Sequence, residues 1–100
     1  MPKIEKEVAK RLQAVMLEFD IPSQVELGKA CGLEGERASI GSRTGNWLQA
    51  KNLPKVQEIG KLCETYGLTL DWLYLGRLWS MDGKLVARLN KRISELAAVA

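Results

Sequence analysis

The chain has no histidine, and its two cysteines, Cys31 and Cys63, stand far apart and in no CxxC pair. A zinc site or a thiol–imidazole nucleophile therefore has nothing to be built from. With no phosphate-cradling glycine loop and no activated nucleophile either, the residues exclude an enzyme, and no cofactor or metal is expected. Both cysteines read as small buried hydrophobes. No run approaches the roughly 18 apolar residues of a membrane span. The opening MPKIEKEVAKRL carries acids and lacks the apolar segment of a secretory signal, so the expectation is a cytoplasmic protein with no membrane partner. Strand-type alternation is missing as well, which leaves an all-α class. At 100 residues, 46% of them hydrophobic, the chain is long enough for one core and too short for two.

Acid is absent from one stretch in particular. Between Glu36 and Glu58 the only charged residues are Arg37, Arg43, Lys51 and Lys55, a local +4 in a chain whose net charge is +3. Within it lies SRTGNWLQAK, where Trp47 sits among small and hydrogen-bonding side chains. If this segment is a helix with Trp47 inside, a turn of roughly 100° per residue puts Ile40 and Thr44 beside Trp47. Ala38, Ser39, Ser42, Gly45, Asn46 and Gln49 then fall on or near the opposite side. Solvated helix faces are ordinarily rich in Glu and Lys. A small, polar, uncharged face suits close approach to a polyanionic or hydrogen-bonding surface. Trp47 and Trp72 are both assigned to the core.

Periodicity divides the chain into helices. Ile4, Val8, Leu12, Val15, Met16 and Phe19 follow one buried stripe over about residues 3–19, and Ile21-Pro22 stops it, because the residue before proline avoids the α region. Ser23 opens SQVE, a capping box, for a short second helix carrying Val25, Leu27 and Cys31 and ending at Gly32. The glycine-rich GLEGERASIG places the start of helix three between Glu36 and Ser42. After KNLP, with Pro54 suited to a first turn, helix four repeats Val56, Ile59, Leu62, Cys63 and Tyr66 and ends at Gly67. Thr69 caps LDWLYL, closed by Gly76. RLWSMDG is the one linker-like stretch, and beyond it Leu85, Val86, Leu89, Ile93, Leu96 and Ala100 form a last stripe over about residues 82–98.

A short capped helix, a turn and a second helix with a small polar face match the helix-turn-helix, whose second helix enters the DNA major groove. SQVELGKACG, then SRTGNWLQAKNLP, then IGKLCETYGLTLDWLYLG resembles the lambda-repressor and Cro class of helix-turn-helix proteins over roughly residues 8–77. The closing GLTLDWLYLG is its most specific part and is similar to phage-type repressor variants. The stretch from Gly32 to Trp47 is longer than the family usually has. The resemblance implies a five-helix DNA-binding domain, here residues 1–77, followed by a C-terminal amphipathic helix in residues 78–100. It also implies that Gln24 contacts a phosphate and that Ser42, Arg43 and Asn46 reach base edges. Arginine fits the O6 and N7 acceptors of guanine, and asparagine the N6 and N7 of adenine. As members of the same polar face and basic patch, Ser39 joins the base-edge set and Arg37 and Gln49 join the phosphate set, with Lys51 following the helix as a further phosphate contact. By helical angle Arg43 flanks the buried side and has to reach outward along its aliphatic stem. Lys55 and Arg77 read as solvated charges.

These features lead to a sequence-specific transcriptional regulator, a repressor of phage or prophage type, whose partners are a double-stranded DNA operator and a second copy of itself. Any small-molecule effector is left open. Two alternatives stand beside it: an antitoxin that autoregulates by binding DNA, and a protein-interaction adaptor that kept the fold. The last stripe can fold back on its own domain or pair with a second copy. Pairing explains how a palindrome is read, so Leu85, Val86, Leu89, Ile93 and Leu96 are the expected dimerisation residues.

Overall fold

In a computed structural model that describes residues 3–99, the described residues form six helices and no strand. They are α1 (Ile4–Glu18), α2 (Gln24–Ala30), α3 (Arg37–Leu48), α4 (Val56–Tyr66), α5 (Leu70–Leu75) and α6 (Gly83–Val99). All of them surround one core, in which Leu12, Leu27, Ile59, Leu62, Leu73 and Leu89 are fully buried. Among the described residues no helix is long and apolar enough to cross a membrane.

α1 buries Val8, Leu12 and Val15, as its stripe requires, and leaves Ile4 partly exposed at its first turn. At the start of α2, Ser23 Oγ accepts from the Glu26 N–H at 3.2 Å. Only that half of the capping box forms, because the Glu26 carboxylate lies 3.7 Å from Lys29 Nζ instead. α2 ends as expected: Gly32 takes φ +82°, and the Leu33 N–H bonds the Gly28 carbonyl at 2.9 Å, closing the last turn.

The crossing of α2 and α3 depends on Gly28. A Cβ at that position would lie 2.3 Å from Ile40 Cγ2 and 3.1 Å from Thr44 Cγ2, so only glycine lets the two helices approach this closely. The fully buried Thr44 hydroxyl sits 2.9 Å from the Gln24 carbonyl and 3.1 Å from that of Ile40. Its single proton ties the first turn of α2 to the middle of α3.

α4 buries Ile59, Leu62 and Cys63 but leaves Val56 exposed at its first turn. Gly67 closes it at φ +71°, and Thr69 Oγ1 caps α5 by accepting from the Trp72 N–H at 3.1 Å. Two longer links fix α5 in place. Tyr74 donates its hydroxyl to the Pro54 carbonyl at 2.7 Å, and Arg11 donates to the Leu73 carbonyl at 3.1 Å.

α6 corrects one expectation. It folds back along α1, with Leu85 5% and Leu89 0% exposed in the core that also holds Leu12, and with Ile93 and Leu96 packed against that core. Val86 is half-buried. Glu18, an acid in the last turn of α1 where the helix dipole disfavours it, is neutralised by Arg88 at 2.7 Å and Arg92 at 3.3 Å of α6. Leu85 and Leu89, two residues of the stripe assigned to dimerisation, are thus covered within the chain, while Val86, Ile93 and Leu96 are partly buried. Ala100, also placed on that stripe, lies outside the described residues.

Candidate nucleic-acid interface

α3 begins at Arg37, after Glu36 turns the chain in from an extended conformation. The long stretch following Gly32 is therefore divided between a non-helical connection, residues 33–36, and the first turns of this helix, on which Arg37 and Ser39 lie. Ile40, Thr44 and Trp47 are buried on its inner side, and Trp47 is a core residue as expected. Arg37, Ala38, Ser39, Ser42, Arg43 and Gln49 are exposed, and Asn46 is half-buried. Ser39, Ser42, Arg43 and Asn46 follow one another at helical spacing, so the structure brings the four expected base-facing residues onto a single outward strip.

Gly45 departs from its expected place. It is buried, and an added Cβ would stand 3.0 Å from Gln24 Oε1. The carboxamide of Gln24 thus lies over the flank of α3, with the Gln24 side chain still largely exposed at the first turn of α2. Arg37 occupies the first turn of α3, directly after the exposed N-cap acid Glu36, so two helix N-termini, a guanidinium and a carboxylate border the strip. Free N–H groups and a positive dipole end favour anions there.

The far end of the strip is shaped by how α3 stops. Ala50 adopts φ +60° and the Lys51 N–H bonds the Asn46 carbonyl at 2.9 Å, which turns the chain back and leaves Lys51 exposed next to the end of the helix. Among the described residues Arg37, Lys51 and Lys55 form no ion pair. Arg43 is different. The chain lacks acid between Glu36 and Glu58 in sequence, yet the fold carries Glu58 of α4 to Arg43, and the two form an ion pair at the mouth of an open cleft of about 490 Å3. Asn46, Trp47, Asn52, Leu53 and Lys55 complete that cleft. Glu58 was not among the expected site residues. Its only signal in sequence is an acid at the third residue of helix four, a position that favours carboxylates for capping alone.

Behind the site, burial pushes the Cys31 thiol up to about 12, helped by the nearby Glu58 and Cys63, and pushes Cys63 up to about 11. Burial also raises Tyr74 above the ordinary phenol range. Thiols held protonated in this way are packing groups and not nucleophiles.

No family model, curated protein or solved structure matches the chain. What the surface can do must be taken from its own side chains.

Proposed function

We propose that the chain is a sequence-specific DNA-binding transcriptional regulator in which α1 to α5 form a lambda-repressor-like domain and α3 is the recognition helix. The observation that carries this is the outward strip of α3. Ser39, Ser42, Arg43 and Asn46 offer donors and acceptors of the kind that read base edges, with no bulky or acidic side chain of α3 among them. Gln24, Arg37, Gln49 and Lys51 surround the strip and are all exposed, as phosphate contacts that set register have to be. The close α2–α3 crossing at Gly28 supports the same reading, since it fixes α3 at one angle to the element that meets the backbone. Regulation is by occupying an operator, in the manner of a phage or prophage repressor. Two copies on a palindrome would have to be joined by a surface other than the buried Leu85 and Leu89.

A protein-interaction adaptor gains support from one observation, the exposure of Leu75, Leu78 and Trp79, the last at 72%. Selection from random duplex DNA, followed by titration of the enriched duplex at several salt concentrations, separates the two. A regulator enriches a defined site and binds it with a salt-dependent affinity. Absence of any enriched site, with no salt-dependent retention on duplex DNA, would leave the adaptor.

A further inference from the structure

Glu58 is an acid of another helix that the fold brings into the basic strip, and it is held from two sides. One carboxylate oxygen, Oε1, accepts from the backbone N–H of Lys55 at 3.1 Å, at the start of α4. The other, Oε2, pairs with Nη2 of Arg43. The Glu58 side chain is 12% exposed and that of Arg43 is 50% exposed. The acid is thus a nearly buried, backbone-anchored post, and the arginine leans on it from the open side. We propose that Glu58 is a positioning residue that sets DNA specificity by turning Arg43 from a mobile, phosphate-seeking charge into a pre-aimed hydrogen-bond donor. This rests on the DNA-binding reading of α3.

The physical reasoning has two parts. A guanidinium carries five N–H donors in a rigid plane. Engaging Nη2 with Glu58 leaves the remaining edge to meet a bidentate acceptor such as guanine O6 and N7, and fixes the long side chain before DNA arrives, so less rotamer freedom is lost on binding. The second part is electrostatic. Non-specific affinity comes from neutralising phosphates and releasing their counterions. A cation already paired with a carboxylate contributes little to that release, and the carboxylate itself repels a phosphate brought near it. Base-edge acceptors carry no such net charge. Glu58 therefore lowers binding to any sequence more than it lowers binding to the right one.

The test compares the wild-type protein with Glu58→Gln, which keeps one oxygen to accept from the Lys55 N–H, replaces the oxygen that faces Arg43 with an amide NH2 donor, and removes the charge. Both are titrated with the duplex enriched by selection and with a random-sequence duplex. Gaining about one effective phosphate contact, the variant should lose roughly three- to fourfold more random-duplex affinity than wild type between 50 and 200 mM salt. Its ratio of specific to random affinity should fall by roughly five- to tenfold. In an Arg43→Ala background the ratio should not change, because the aiming of the donor runs through Arg43; only the salt dependence should rise there, since the unpaired Glu58 repels phosphates directly. Glu58→Asp, which keeps the charge but shortens the reach, should lose the ratio while retaining the wild-type salt dependence, and it serves if the Gln variant does not fold. An unchanged ratio, or the same shift in ratio with Arg43 absent, overturns the role of Glu58 while leaving DNA binding intact. Failure of the wild-type protein to bind either duplex at any salt removes the DNA-binding reading, and the role of Glu58 with it.

Discussion

Leu89→Ala probes where the last stripe belongs. Leu89 is 0% exposed within a single chain, in the core that holds Leu12 and Val15 of α1. Truncation removes three buried carbons, worth about 2.4 kcal/mol at about 0.8 kcal/mol each. The unfilled space adds to this, so a loss of about 3–5 kcal/mol is expected. In a chain of 100 residues, that corresponds to a fall in melting temperature on the order of 15 °C. The assay is urea unfolding followed by tryptophan fluorescence, repeated over a hundredfold range of protein concentration. If α6 is an intramolecular element, wild type and variant each unfold with a midpoint independent of concentration, because stability drawn from a second copy would follow mass action. Val86→Ala, at a half-buried position of the same helix, should cost far less. A Leu89→Ala protein that melts like wild type, or a wild-type midpoint that climbs with concentration and stops climbing in the variant, would refute the packing of α6 on α1 and restore the stripe to dimerisation.

Two glycines in helices should respond in opposite directions in the same unfolding assay. Gly28→Ala places a methyl 2.3 Å from Ile40 Cγ2 and should destabilise by about 1–3 kcal/mol, whereas Gly60→Ala in α4 meets nothing within 4 Å and should stabilise by about 0.5–1 kcal/mol; equal effects would dispose of the close crossing. Because burial holds the Cys31 thiol of the folded chain up to about 12, above the ordinary thiol value of about 9.0, its contribution is complete below pH 9 and is lost as pH rises toward 12. The stability of wild type relative to Cys31→Ala should therefore fall by about 1 kcal/mol between pH 8 and pH 10, and a difference that stays flat would place the thiol in water. On DNA, Asn46→Ala should cost about 1–3 kcal/mol on the selected site and little on random duplex, while Lys51→Ala should weaken both and reduce the salt slope by about one unit. The reverse pattern would exchange their roles.

Much of the architecture is legible in the residues because it depends on local chemistry. The stripes of α1 and α4, the caps at Ser23 and Thr69, and the left-handed glycines at Gly32, Gly67 and Gly76 each need only a few neighbours to be specified. The inner positions of Trp47, Ile40 and Thr44 are legible for the same reason, since one buried residue orients a helix. Gly45 shows where this stops. Periodicity identifies the direction of one core, but α3 is covered along a second arc by α2, and nothing in the spacing of α3 says that Gln24 will lie there. The partner of α6 was illegible on similar grounds: an amphipathic stripe looks the same whether its own chain or another copy covers it. Glu58 illustrates a third limit, because its meeting with Arg43 depends on the angle of the turn between α3 and α4, and the stretch that separates them is free of acid only when read along the chain.

The arrangement of α3 separates what fixes the helix from what it presents. Ile40, Thr44 and Trp47, with Gly28 opposite, set its depth and direction, and they lie inside. Ser39, Ser42 and Asn46 are on or near the surface, and no side-chain hydrogen bond to the rest of the described chain engages them. Exposed residues of that kind usually change stability by no more than about 0.5 kcal/mol when substituted. The outward strip is therefore open to alteration without disturbing the scaffold, as the proposed reading of one DNA sequence among many requires. Arg43 is the exception, since its tie to Glu58 couples the strip to α4 and to the capped turn at Lys55. A substitution at Arg43 changes both the presented chemistry and the burial of a charge, so among the strip residues it should be the one whose replacement alters stability and specificity together.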